Sequence, residues 1–192
     1  ICPADQDDVW HPAKVETLLG AVGDAALAYA ASDLIDDRRM DLRCTLAEKM
    51  KVRPVRGRHP MAFYFANCVP AHAMLVRRDV LEHALPIPPG LFHDRWVAYV
   101  ASLAGEIRFV DEPLVSYRQH QTSVIGARAQ ARRAGSLRRR AAAKRDKSVR
   151  RNQELIGTLM AFRDAALRAG APHAVLDQLI TGYEQSPRRF IN

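Results

Sequence analysis

No stretch of this chain approaches the ~18 or more consecutive apolar residues that cross a bilayer as a helix, and none reads as a secretory signal. Cysteine is scarce. Cys2, Cys44 and Cys68 are an odd number without metal-ligand spacing, and they read as reduced thiols of a cytoplasmic protein. There is no internal repeat and no low-complexity tract beyond an arginine bias. Aromatic residues are missing altogether from residues 126–151, where charge is most concentrated. Eleven Lys or Arg stand there against a single Asp, a local net of +10 in a chain whose total is +8. The basic character therefore belongs to one segment, and the rest of the chain is slightly acidic.

What is present is an ordinary globular composition, 48% apolar and 26% charged over 192 residues, long enough to bury one core. Pro12 suits a first helical turn, and a helix is expected over residues 14–19, ending near Gly20. Gly23-Asp24 marks a turn. Residues 26–30 are expected as a short buried strand, although their alanines fit a helix as well. Asp36-Asp37-Arg38-Arg39 reads as a solvated polar turn. Residues 41–60 are hard to read, with a short helix expected near residues 45–50. A helix is expected over residues 61–66, packing Phe63 and Phe65, then a strand over 71–77 and a helix capped by Asp79 and stopped by Pro86. Residues 95–104 have helical periodicity with Gly105 at the C-terminal cap, and strands follow over 107–110 and 114–117. Such alternation argues an α/β sheet with sites at strand ends. Beyond residue 126 the chain reads as helices, two of them separated by Gly170-Ala171-Pro172.

The first residues hold the densest chemistry. Asp5, Asp7 and Asp8 put three carboxylates into four positions, just before Trp10 and Pro12. Charges that close repel one another unless a cation or hydrogen-bond donors offset them. Two readings fit the spacing: an acidic helix N-terminus, favourable against the helix dipole, or a site where one or two carboxylates hold Mg²⁺ together with substrate phosphates.

The string Asp5-Gln6-Asp7-Asp8-Val9-Trp10-His11-Pro12-Ala13-Lys14 resembles the DxD segment of family 2 glycosyltransferases, especially the rhamnosyltransferase-like branch. Two later strings resemble the same family in the same order. They are Ala73-Met74-Leu75-Val76-Arg77-Arg78-Asp79-Val80-Leu81, and His93-Asp94-Arg95-Trp96 followed by Asp111-Glu112-Pro113-Leu114-Val115-Ser116-Tyr117-Arg118-Gln119-His120. The resemblance covers about residues 1–126. It implies an α/β fold: a truncated GT-A (Rossmann-like) domain over residues 1–125, lacking the nucleotide-binding half that precedes the DxD in the family. A basic helical extension over residues 126–192 would follow it.

The activity so implied is inverting, metal-assisted transfer of a sugar from a nucleotide-activated donor to a saccharide or lipid-linked acceptor, in cell-surface polysaccharide synthesis. The resemblance gives Asp94 as catalytic base, with a helix N-cap as the alternative. Asp5, Asp7 and His120 are given as ligands of Mg²⁺ or Mn²⁺, a structural histidine being the alternative for His120. Asp8, His93, Arg95, Trp96 and Arg118 would contact substrate, Arg118 by neutralising phosphate charge. Trp10 and Trp96 also read as core aromatics, and His72 as a cleft residue without a role. For residues 126–151 the absence of aromatics argues against single-stranded nucleic acid. An anionic membrane at the cytoplasmic face fits better, and a solvated basic face is the default. The rival to the enzyme is a basic helical binding module whose acidic string is only a helix cap.

Overall fold

The computed structural model describes residues 1–119 and 137–185. The chain divides into two compact units, Ile1–Ile87 with Leu91–Ser123, and Pro88–Gly90 with Val124–Asn192.

The first unit is a mixed α/β domain. Its strands are β1 (Val9–Trp10), β2 (Leu27–Ile35), β3 (Asp41–Thr45), β4 (Met74–Val76) and β5 (Ile107–Arg118), and its helices are α1 (Lys14–Val22), α2 (Leu46–Met50), α3 (Arg78–Ala84) and α4 (His93–Ala104). The sheet runs β1-β5-β2-β3, with β4 also paired to β2. Only β2 and β5 are parallel; β1 on β5, and β3 and β4 on β2, are antiparallel. Residues 27–30 of β2 are buried without a break, because both faces of the central strand are covered. On one face Leu18 and Val22 of α1 pack against Ala25, Ala28, Ala30, Leu75 and Leu114. The alternate residue Tyr29 points the other way, 4.9 Å from the ring of Phe109. Its hydroxyl donates to Val55 O and accepts from Val55 N, which ties the irregular segment after α2 to the sheet.

Several elements differ from what the sequence suggests. β2 is nine residues long rather than five, continuing through Ala31-Ser32-Asp33 to Ile35. The two expected strands over 107–110 and 114–117 are one, β5, whose register against β2 shifts around Pro113, a residue with no N–H to give a ladder. β3 was not expected at all. Residues 61–66 form only a 3-10 turn, Pro60–Phe63, with Phe63 buried and Phe65 57% exposed. The expected strand over 71–77 opens as a second 3-10 turn, Ala71–Ala73, before β4. Asp79 does not cap α3: Arg77 holds the N-cap position, and its guanidinium binds the Asp79 carboxylate at 2.9 Å. Gly105 does end α4, but in extended conformation. A Cβ there would sit 3.3 Å from Ala26 Cβ, so close approach rather than a left-handed turn explains the glycine.

In the second unit, α5 (Leu137–Arg168) and α6 (Ala174–Gln185) are helical, so the chain joins an α/β domain to a helical C-terminal part. Leu159, Phe162 and Ala166 of α5 and Leu176, Ile180 and Tyr183 of α6 are buried. Asn152 Nδ2 donates to Tyr183 O, which fixes the pair as antiparallel. Gly170, at φ +61°, makes the turn that lets Ala171 N reach back to Ala166 O.

Candidate functional site around the acidic segment

Residues 5–8 lie at the carboxyl end of β5, because β1 pairs Val9 with Ser116 and Trp10 with Val115. That is where open α/β sheets place their ligands. None of the three acids caps a helix: α1 begins at Lys14 with Ala13 at the N-cap and no side-chain cap bond. The acidic-cap reading fails on this geometry.

Arg118, the last residue of β5, clamps the segment. Its backbone N–H donates to Asp8 Oδ1 at 3.1 Å and its Nε to Asp7 O at 3.0 Å. Its Nη1 donates to the carbonyls of Asp36 and Asp37, so the turn after β2 is held by the same side chain. These bonds give Arg118 a positioning role toward residues 5–8.

A third group, without a role in the sequence reading, completes the acidic cluster. His72 sits in the 3-10 turn before β4. Because β4 runs antiparallel to β2, this turn lies beside Ser32, and His72 Nε2 is 3.1 Å from Ser32 Oγ. The imidazole stacks on Tyr117 of β5, 4.5 Å between centroids with the rings 6° from parallel. Its Nδ1 then faces two carboxylates, 3.8 Å from Asp5 Oδ2 and 3.7 Å from Asp8 Oδ2. The His72 side chain is 5% exposed, that of Asp8 0% and that of Asp5 52%, so the cluster opens on the Asp5 side.

Lys14 is wholly buried against this group. Its Nζ donates to His72 O at 2.6 Å and stands 3.2 Å over the Trp10 ring. Burial lowers its pKa to about 8, against the pull of Cys2, Asp8 and Asp5. Burial raises Asp8 to about 6, helped by the charges of Asp5 and Asp7 and opposed by the Arg118 N–H and Lys14. Burial lowers His72 to about 4, with Lys14 adding to the effect.

The donor set suits a divalent cation. Asp5, Asp8 and His72 offer donor atoms within 4.8 Å of one another. Asp8 Oδ2 is buried and has no hydrogen-bond partner, an arrangement that costs stability unless a positive charge is supplied. The separations of 3.7 and 3.8 Å from His72 Nδ1 are too long for hydrogen bonds. They are short enough for each pair to share an ion about 2.0–2.2 Å from both atoms. Asp7 is not in this set, although its charge acts on both Asp8 and His72.

Asp94 is the second residue of α4, not its N-cap, which is Phe92. Its Oδ1 accepts from Arg95 N at 2.7 Å, Asn67 binds its side chain, and burial raises its pKa. Tyr117 relates it to the acidic segment: burial and then the charges of Asp8, Asp5, Asp7 and Asp94 raise the phenol. His93 is exposed at the start of α4. Arg95 Nε donates to Phe63 O at 2.7 Å and its Nη2 to Tyr64 O, so it brackets the segment that carries Asn67. Trp96 is 2% exposed and its indole N–H donates to Ala84 O, which makes it a core aromatic. His120 lies outside the described residues.

Among the described residues no helix is long and apolar enough to cross a membrane. No family model matches the chain. An uncharacterized glycosyltransferase of Nostoc sp. is 29% identical over 125 residues, covering 60% of this chain and 38% of that protein. The chain thus spans well under half the length of the relative it matches, and the similarity relates it to a glycosyltransferase.

Proposed function

We propose that the chain carries the acceptor side of a glycosyl-transfer site, moving a sugar from a nucleotide-activated donor to a saccharide or lipid-linked hydroxyl with inversion. The observation that carries this reading is a buried, unpartnered carboxylate oxygen in a cluster suited to a cation, beside the Tyr117 ring that stacks on His72; the buried Asp94 carboxylate at the start of α4 supplies the base. The relationship to a glycosyltransferase supports the reaction class.

Asp5 and Asp8, with His72, would hold Mg²⁺ or Mn²⁺, which when bound offsets the charge of the leaving diphosphate. The remaining steps fall to side chains of this chain. Asp94 takes the proton of the acceptor hydroxyl as its oxygen bonds to the anomeric carbon. The bond from that carbon to the diphosphate breaks, and its electron pair leaves with the phosphate oxygen. The raised pKa suits Asp94 to this work, because a base functions best near the ambient pH. The Arg95 N–H and Asn67 hold the carboxylate in place. Arg118 keeps residues 5–8 against the sheet. His93 stands exposed beside Asp94, where an acceptor would approach.

Residues 126–151 are proposed to bring an anionic membrane surface to the same protein, at the cytoplasmic face where a lipid-linked acceptor would be presented.

Release of nucleoside diphosphate from UDP-, GDP- and dTDP-sugars by the full-length protein tests the reaction class. Release that requires Mn²⁺ or Mg²⁺ and stops with EDTA is the expected result. Tight binding to polyanions with no release from any donor would favour the binding module instead.

A further inference from the structure

We infer that His72 is a nitrogen ligand of the cation site, and that the site therefore takes a divalent transition ion such as Mn²⁺ in preference to Mg²⁺. The inference rests on reading residues 5–8 as a cation site and not on the transfer reaction itself. Three observations carry it. Nδ1 of a 5%-exposed imidazole faces Asp5 Oδ2 and Asp8 Oδ2 at 3.8 and 3.7 Å, with no hydrogen bond to either. Asp8 Oδ2, on a side chain with no exposure, is aimed at the same point and has no partner. The other ring nitrogen is already engaged by Ser32 Oγ at 3.1 Å. A ligating histidine characteristically uses one nitrogen on the metal and gives the other to an orienting partner.

The ring is also held so that Nδ1 stays where it is. Tyr117 stacks flat against it, and the Lys14 ammonium, itself pinned over Trp10, donates to the His72 carbonyl. Lys14 is thus a positioning residue for the ligand rather than a ligand. The chemical consequence concerns selectivity. Mg²⁺ is held almost entirely by oxygen and keeps several waters, whereas an imidazole among carboxylates suits first-row transition ions.

The test uses the chain stripped of metal with EDTA, with Mn²⁺ as the probe. Electron paramagnetic resonance of free Mn²⁺ gives the affinity, Mg²⁺ competition gives the selectivity, and spin-echo modulation of bound Mn²⁺ reports a coordinated imidazole nitrogen. The wild-type chain is expected to bind Mn²⁺ more tightly than Mg²⁺ and to show nitrogen modulation. His72→Gln should weaken Mn²⁺ binding by about 100-fold, the upper end of what losing a mere supporting partner costs. It should abolish the modulation and leave Mg²⁺ binding little changed. A folded His72→Gln protein that binds Mn²⁺ as the wild type does, or retains the modulation, would put a different group on the ion and overturn the inference. Equal wild-type affinity for the two ions would overturn it as well. Where His72→Gln does not fold, Ser32→Ala replaces it. About 10-fold weaker Mn²⁺ binding then supports the assignment, and unchanged binding overturns it. No sugar donor enters these measurements. A chain that binds Mn²⁺ through His72 but transfers nothing would keep this inference and lose the proposed function.

Discussion

Asp8 and His72 are buried side by side, and burial moves them in opposite directions. Asp8 titrates near 6 in the fold against an ordinary 3.8, so its contribution to stability is present below about 3.8 and is lost as pH rises to about 6. His72 titrates near 4 against 6.5, so its contribution is present above about 6.5 and is lost as pH falls to about 4. Over the same window one slope falls and the other rises, and the metal-free wild type is expected to melt at nearly constant temperature between about pH 4 and 6, where the two windows overlap. Asp8→Asn should leave the His72 slope exposed, with the melting temperature dropping as pH is lowered. His72→Gln should leave the Asp8 slope, with the melting temperature dropping as pH is raised. Scanning calorimetry across the window checks both, and slopes of the same sign in the two variants would contradict the pairing. Of these two residues the sequence marks only Asp8. The place of His72 depends on Ser32, forty positions earlier in the chain, meeting it through β2–β4 pairing, which no local pattern encodes.

At the level of elements, α1 supports the acidic segment because it packs Leu18 and Val22 onto the same strands that end at the cluster. Leu18 is fully buried, and Leu18→Ala should cost about 2–5 kcal/mol in chemical denaturation, the usual range for a core leucine that leaves a cavity. Thr45 and Glu48 form a reciprocal capping box on α2, and Thr45→Ala should cost about 1 kcal/mol by the same measurement. The helices were legible for plain reasons: Pro12 opens the turn before α1, and the apolar spacing of α4 carries through to Gly105. β3 was not, because its five residues are exposed or half-buried, Arg43 takes a positive φ of 52°, and the pairing with β2 is irregular. Residues 61–66 look helical from their apolar content, yet Met61 and Phe65 stay exposed and the adjacent Phe63 and Tyr64 enter the core. Asp79 and Asp94 both look like N-caps and both lie inside the first turn, where the helix dipole favours them equally well.

For the molecule as a whole, charge is the property read most directly from the sequence. Residues 126–151 should bind anionic vesicles and not neutral ones, since each Lys or Arg near such a surface adds about 1 kcal/mol and salt screens the attraction. Co-sedimentation at low and high salt decides it, and equal binding to both vesicle types would leave the arginines as a solvated face. The central claim, that Asp94 and the acidic segment form one transfer site, is tested most directly by the turnover of Asp94→Asn in the full-length protein with a donor and acceptor that the wild type uses. The account predicts a loss of about 10²–10⁴ in turnover, the worth of a positioned base, with donor affinity and Mn²⁺ affinity close to wild type. Wild-type turnover in that variant would contradict it.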